Sequence, residues 1–118
     1  MIVNANSVIL GLKDIVNCPV APDEYIGDKN KYICFVYADE VGVEWADNVE
    51  QAVRADIQIT LYCPSTYNYM SDKKKIKNYL VQNGFDVTSI SSFLEVLADG
   101  SRQRHLVFTT GYYNFEEE

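Results

Sequence analysis

The chain has 118 residues, 47% of them hydrophobic and 23% charged, a composition that fits one folded domain and excludes a disordered chain. Its 17 acidic and 10 basic residues give a formal net charge of −7, which disfavours nucleic-acid binding, because such binding needs Lys and Arg against the phosphates. No apolar run approaches the ~20 residues of a membrane-spanning helix, and the N-terminus shows no signal-peptide pattern. We therefore expect one domain over residues 1–118, with no membrane partner and with its last acidic residues frayed.

Cysteines, histidine and acids show no arrangement typical of a catalytic or metal site. Cys18, Cys34 and Cys63 are odd in number and lack C-x-x-C spacing, so we expect reduced thiols, with Cys34 and Cys63 buried on apolar strand positions. His105 has no oriented partner in the sequence. The acids between residues 39 and 47 lack the calcium-loop pattern. The sequence therefore predicts a protein that is not an enzyme and has no metal and no cofactor.

The first part of the chain alternates between a helix, loops and one short strand. Residues 6–16 carry apolar side chains at helical spacing, and Gly11 weakens this helix by about 1 kcal/mol relative to Ala. Residues 21–31 are polar and are predicted to form a connecting loop. Residues 32–37 are apolar, aromatic and β-branched, which predicts a buried strand. Residues 38–48 are predicted to be a loop or the broad tip of a hairpin.

The clearest pattern lies in residues 49–63, where apolar residues occupy most odd positions and polar residues most even ones. Alternation with a period of two predicts a long strand with one apolar and one polar face. At ~3.3 Å per residue, an unbroken strand would reach roughly 50 Å, which exceeds what the core of so small a domain requires. We therefore expect it to pair with the strand at 32–37 in a long hairpin that projects beyond the core.

A second helix is predicted for residues 67–83, and its end is well marked. Gly84 fits the position just after the helix, and Phe85 follows it and can contact Leu80, the pattern of a Schellman cap. Strands are then predicted at 87–98 and 102–115, around a two-residue turn at Asp99-Gly100. The register expected from this turn pairs Ala98 with Ser101, Glu95 with Arg104 and Phe93 with Leu106.

The resulting order is helix, strand, strand, helix, strand, strand. Because the strands come in hairpins, this order predicts an α+β domain of two layers. One layer is an antiparallel sheet built from long hairpins, and two helices pack on one of its faces.

Charge is segregated along this acidic chain. The second helix carries Lys73, Lys74, Lys75 and Lys77, whereas the segment before the long strand is rich in acids. Three interpretations of the lysines remain open: a nucleic-acid patch, the exposed face of a helix, and a surface complementary to an acidic copy of the same protein. The overall charge disfavours the first interpretation.

This order of segments resembles the tail-completion proteins of tailed bacteriophages and prophages, the tail-terminator or head–tail joining family. The resemblance covers residues 6–115. It is carried by the strand at 32–40, the alternating strand that ends at 57–63, the lysine-rich helix at 73–85 and the hairpin with its aromatic and acidic C-terminus. It implies an α+β fold with a long hairpin and a hexameric ring at the head-proximal end of the tail tube. The family brings no catalytic residues.

The resemblance also implies partners and a location. The ring would contact the major tail tube protein and the head connector or stopper protein, and DNA would pass through it without specific binding. The protein would lie in the bacterial cytoplasm during assembly and in the tail or neck of the virion afterwards.

A ring requires heterologous contacts, in which one surface of a copy meets a different surface of the next. The sequence offers an acidic and a basic surface for such a contact, with Lys74 and Lys77 facing Glu44 or Asp47. The residues predicted to lie at the subunit interface are Glu44, Trp45, Asp47, Val49, Val53, Lys74 and Lys77.

The main alternative is a small non-catalytic ligand-binding or regulatory α+β domain that acts as a monomer or dimer. Such a domain needs a concave pocket, which a sequence does not reveal. A small enzyme is a more distant alternative.

Overall fold

The structure is a computed structural model that describes the backbone of residues 5–46 and 49–115 and the side chains of residues 5–38 and 54–112. Short helices open the chain, and strands with one longer helix follow. The helices are α1 (Ala5–Leu10), α2 (Leu12–Val16) and α3 (Met70–Gln82), and the strands are β1 (Val20–Pro22), β2 (Tyr32–Ala46), β3 (Val49–Pro64), β4 (Phe85–Val96) and β5 (Arg102–Phe115).

The strands form one sheet in the order β1-β2-β3-β5-β4. The pairs β2–β3, β3–β5 and β4–β5 are antiparallel, as predicted. The short strand β1 pairs in parallel with β2, within a region that was predicted to begin a loop. No sequence pattern predicts this strand, because three residues are too few for a periodic pattern. The predicted α+β class with two layers is confirmed.

The core lies between the helices and one face of this sheet. The odd-numbered residues of β3 from Ala55 to Cys63 are buried, as the period-two alternation predicted. Ile59 lies between Phe35 of β2 and Phe108 of β5 in the register. Ile9, Leu12, Ile76 and Leu80 bury the helices against this face.

The long hairpin is confirmed, but the loop expected at residues 38–48 is wrong over most of its length. Strand β2 continues to Ala46, and its pairing with β3 runs from Tyr32↔Tyr62 to Ala46↔Val49, interrupted by register shifts. Residues 47 and 48 lie outside the described part. The segment has acids and a glycine, which disfavour strand formation, but pairing with the long strand β3 outweighs this local preference.

The hairpin is much longer than the helices that cover the sheet. The 16 residues of β3 span ~50 Å at ~3.3 Å per residue. The longest helix, α3, has 13 residues and spans only ~20 Å. The longest dimension of the molecule is 57 Å, against 25 and 24 Å in the other directions. The hairpin therefore extends well past the length that α3 can cover.

The predicted first helix is divided at Gly11 into α1 and α2. The hydroxyl of Tyr79 donates a hydrogen bond of 2.7 Å to the carbonyl oxygen of Val8, which also accepts from the N–H of Gly11 at 3.1 Å. A side chain that bonds into the backbone ladder in this way bends a helix. A Cβ at Gly11 would collide with the Tyr79 hydroxyl, so the glycine leaves room for this contact. Burial raises the pKa of Tyr79.

Helix α3 ends as predicted but begins three residues later than expected. Gly84 has φ +90°, the left-handed conformation of the cap, and donates to the carbonyl oxygen of Val81. Phe85 and Leu80 both belong to the core. At the start, the Asn68 side chain accepts a hydrogen bond from the N–H of Met70, which holds the preceding residues in a turn.

The register predicted for the β4–β5 hairpin is wrong by one residue. Glu95 pairs with Gln103 rather than Arg104, and Phe93 pairs with His105 rather than Leu106. The turn has three residues, 98–100, and Gly100 takes a left-handed φ of +87° at its third position. Asp99 stabilises this turn by accepting hydrogen bonds from the N–H and hydroxyl of Ser101. Because side chains alternate, the one-residue shift places Glu95 and Arg104 on opposite faces of the sheet.

Candidate intersubunit surface

A groove of about 530 Å³ runs between α3 and the edge strand β4. One wall is a single stripe of α3 with the helical spacing i, i+3, i+4, i+7, made by Met70 and three lysines. The other wall is residues 87–90 of β4. The lining residues are Met70, Lys73, Lys74, Lys77, Val87, Thr88, Ser89 and Ile90.

The β4 wall of the groove contains a β-bulge. The register shifts between Val87, which pairs with Thr110, and Ser89, which pairs with Thr109, so Thr88 is the extra residue. The hydroxyl of Thr88 donates to the carbonyl oxygen of Thr109 at 3.1 Å. Because β4 is the last strand of the sheet, its outer edge has no further strand beside it among the described residues. The bulge bends β4 and so changes the direction of this unpaired edge.

The three lysines of the groove form no ion pairs with other described residues. Lys74 and Lys77 are exposed and Lys73 is half-buried. None of the three forms an ion pair or hydrogen bond with another residue among those described. The groove floor includes the partly buried side chains of Val87 and Ile90, which pack against the core, and Met70 is exposed at its rim. The groove thus combines apolar side chains with three lysines that have no ion-pair partner in the described part of the chain.

The residues predicted to form the interface are divided between this groove and the hairpin. Lys74 and Lys77 lie on the groove, as solvent-facing residues of α3. Glu44, Trp45 and Val49 lie at the far end of the hairpin, where Trp45 pairs with Glu50 and Ala46 with Val49. Val53 pairs with Gly42 on one side and with Asn114 on the other. The side chains of these hairpin residues, and Asp47 altogether, lie outside the described part.

One buried charge cluster was missed by the sequence analysis. The Lys31 ammonium donates to the carboxylate of Asp72 at 2.7 Å, to the hydroxyl of Tyr67 at 2.9 Å and to the carbonyl oxygen of Val16 at 2.8 Å. Tyr67 in turn donates to Asp72 at 2.6 Å. Burial disfavours the charged ammonium, but its hydrogen bonds to Asp72 and Tyr67 outweigh this and raise the pKa of Lys31. These contacts join α2, α3 and the loop before β2, which is a structural role.

The three cysteines are free and buried, as predicted. Burial raises the pKa of all three thiols, and that of Cys18 reaches about 11. A thiol with so high a pKa is almost wholly protonated at neutral pH and is a poor nucleophile.

A row of aromatic rings crosses the sheet face opposite the helices. Tyr25, Tyr32, Tyr62, His105 and Phe93 follow one another at centroid distances of 4.7, 4.8, 4.6 and 4.5 Å. Tyr32, Tyr62, His105 and Phe93 are direct cross-strand partners on four neighbouring strands. Three of these contacts are stacked and the Tyr62–His105 contact is edge to face, so the row of cross-strand aromatic pairs stabilises the sheet.

His105 has a partner that the sequence did not reveal. Its Nε2 lies 2.8 Å from a carboxylate oxygen of Glu95, and its ring lies between Tyr62 and Phe93. The one-residue shift of the β4–β5 register brings these two residues together. The imidazole therefore stacks on the Phe93 ring and meets the Tyr62 ring edge to face.

The described residues were also compared with the requirements of a metal site and of a membrane-spanning helix. No group of three or more His, Cys, Asp or Glu side chains among them is arranged to hold a metal ion. No helix among them has the length and apolar character needed to cross a membrane.

Comparisons with known proteins give no family for this chain. No protein-family model matches it, and no curated protein matches it. The family resemblance of the sequence therefore stays a hypothesis.

Proposed function

We propose that this protein is a structural assembly protein of a phage or prophage, either a tail terminator or a head–tail joining protein. Six copies form a ring at the head-proximal end of the tail tube. Its partners are further copies of itself, the major tail tube protein and the head connector or stopper protein. DNA passes through the ring without specific binding. The protein acts in the bacterial cytoplasm during assembly and then in the tail or neck of the virion.

The observation that carries this proposal is the length of the β2–β3 hairpin. Backbone pairing continues to Ala46↔Val49, and β5 follows the same extension as far as Phe115, which pairs with Ala52. Three paired strands make a stiff arm, whereas a lone hairpin is only marginally stable in water. The arm extends beyond the part of the sheet that α3 can cover, and this extension is available for contact with a neighbouring copy.

The distribution of charge supports a heterologous contact. Residues 39–50 contain five acidic residues and no Lys or Arg, whereas the groove carries three lysines that form no ion pair among the described residues. A contact between unlike surfaces generates a closed ring when the rotation between copies closes. Charge pairs at the rim of such a contact fix orientation more than affinity, at about 0–1 kcal/mol each.

The test is whether the protein limits the growth of tail tubes. The purified protein is added to the polymerising tail tube protein encoded beside it, and tube lengths and tube ends are recorded by electron microscopy. We expect shorter tubes with ring-shaped density at one end. Tubes of unchanged length with bare ends would overturn the proposal.

The variant Val53→Asp tests the role of the arm separately from the stability of the rest of the fold. It places a carboxylate in the extension of β3, so we expect loss of capping, because an unpaired charge buried in a contact costs several kcal/mol. The matched control is Lys13→Asp, which adds the same side chain at an exposed position of α2. Circular dichroism of both variants verifies folding. A folded Val53→Asp variant that caps tubes normally would show that the arm is not the joint.

The groove also favours a second function, a non-catalytic ligand-binding or regulatory domain acting as a monomer or dimer. Its volume of about 530 Å³ lies within the range of small-molecule pockets, and its lysines would select an anionic ligand. Light scattering with a titration of inorganic phosphate and citrate distinguishes the two functions. Saturable binding by a monomer that does not cap tubes would favour the ligand-binding function.

A further inference from the structure

We infer that the groove between α3 and β4 is the socket for the hairpin tip of a second copy, with Trp45 of that copy as the anchor in the groove. This inference rests on the proposed function, because it names the contact that would join neighbouring copies.

The groove has the chemistry of a hot-spot pocket. Val87 and Ile90 contribute apolar side chains, while Lys73, Lys74 and Lys77 place positive charge along the α3 wall. Aromatic residues that enter such a pocket supply most of the binding energy of many interfaces, and polar residues around them exclude water. A volume of about 530 Å³ accommodates one indole together with side chains beside it.

The hairpin tip has the complementary composition. Trp45 is the one tryptophan of the chain, and it lies one residue before the end of β2. Glu44 precedes it, and Glu50 is its cross-strand partner on β3. The composition of the tip is thus an aromatic residue with acids beside it in the sequence and on the paired strand, whereas the groove joins apolar side chains to lysines. These lysines are without ion pairs among the described residues, so none of the acids described competes with a partner's carboxylates.

The tip cannot enter the groove of its own chain. Residues 87–90 of β4 lie beside Thr110 to Phe108 of β5, which lie beside Ile57 to Ile59 of β3. From Ile57 to the end of the hairpin at Val49 the strand covers ~26 Å at ~3.3 Å per residue. Because pairing with β2 continues along this whole distance, the hairpin cannot fold back. The occupant must be another copy, which is what a heterologous contact requires.

A photo-crosslink from position 45 tests the inference directly. Trp45 is replaced by p-benzoylphenylalanine, which keeps an aromatic side chain there. Isotope-labelled and unlabelled protein are mixed and irradiated, both at high concentration in solution and on tail tubes. We expect crosslinks between labelled and unlabelled chains in at least one condition, with the acceptor peptide within residues 70–90. Crosslinks elsewhere, or none between chains in either condition, would overturn the inference.

A charge exchange tests the pairing of the lysines with the acids. Lys74→Glu with Lys77→Glu should lower the yield of this crosslink about tenfold, and adding Glu44→Lys with Glu50→Lys in the same chain should restore it. The matched control is Lys75→Glu, which makes the same change on an exposed residue of α3 outside the groove and should leave the yield unchanged. Equal losses for the groove variant and the control would contradict a specific socket.

The outcomes separate this inference from the proposed function. Normal capping of tubes with crosslinks outside residues 70–90 would leave the function standing and remove the socket. Crosslinks into the groove without capping would leave the socket standing and remove the function.

Discussion

Replacing Gly11 by Ala should destabilise this protein, although the same change in an ordinary helix stabilises it. Gly11 has a right-handed backbone with φ −64°, which alanine adopts readily, so helix propensity alone predicts a gain of about 1 kcal/mol. However, the added Cβ collides with the hydroxyl of Tyr79, which donates to the carbonyl oxygen of Val8. Loss of that hydrogen bond costs about 1 kcal/mol, and displacing the Tyr79 ring costs about 1 kcal/mol or more.

The net effect of Gly11→Ala is therefore a loss of about 1 kcal/mol in the free energy of unfolding. In a Tyr79→Phe background the colliding hydroxyl is absent, while the Cβ still lies 3.1 Å from the Val8 carbonyl oxygen and 3.3 Å from the ring carbon Cζ, so the same change should be less costly by about 1 kcal/mol than with Tyr79 present. Urea denaturation of the four proteins in this cycle measures the difference. Ser7→Ala, at an exposed position of α1, reports helix propensity without the contact. Equal effects of Gly11→Ala in both backgrounds would show that the Tyr79 hydroxyl does not determine the cost of the added Cβ.

Three further predictions concern the stability and reactivity of the fold. Lys31→Met should lower the free energy of unfolding by about 3 kcal/mol, because it leaves the carboxylate of Asp72 buried without its cation. The control Lys29→Met, at an exposed position, should change it by less than about 0.5 kcal/mol. Comparable losses for the two variants in urea denaturation would contradict a stabilising role of the Lys31–Asp72 pair. The native thiols should resist labelling by a bulky reagent at pH 8, because they are buried. Since burial raises the pKa of Cys18 from 9.0 to about 11, the folded protein keeps a proton on this thiol that the unfolded chain loses. Stability should therefore fall as pH rises from about 9 to about 11, and rapid labelling of three thiols or a flat pH profile would contradict burial. Gly100→Ala should cost about 1 kcal/mol because its φ of +87° is left-handed, and an unchanged melting temperature would be inconsistent with the three-residue turn.

The features that the sequence predicted are those encoded by local patterns. The alternation in residues 49–63 identified the long strand, and Gly84 identified the end of α3, because period and capping are properties of neighbouring residues. Burial of Cys63 followed from the same alternation, and burial of Cys34 followed from its position in the apolar strand predicted at 32–37. The exposure of Lys74 and Lys77 followed from the helical spacing.

The features that the sequence missed depend on contacts between distant parts of the chain. Asp99-Gly100 fits both a two-residue turn and a three-residue turn with glycine at its end, and the choice between them shifts every pair of the β4–β5 hairpin. The pairing of His105 with Glu95 follows from that shift. The burial of Asp72 depends on Lys31, which no local pattern connects to it.

The groove was missed for the same reason. The spacing of the lysines on α3 identified a solvent-facing stripe, but a stripe becomes a groove only beside the bulged edge strand β4. The continuation of β2 beyond residue 37 was missed because acids and Gly42 disfavour a strand locally, while the pairing partner β3 imposes one.

The most direct test of the central claim is cryo-electron microscopy of tail tubes that have been assembled in the presence of this protein. The account predicts a closed ring of copies at one tube end, with residues 39–53 of each copy against the α3–β4 groove of its neighbour. Tube ends without the protein, or a ring in which these hairpin residues contact no neighbouring copy, would contradict it.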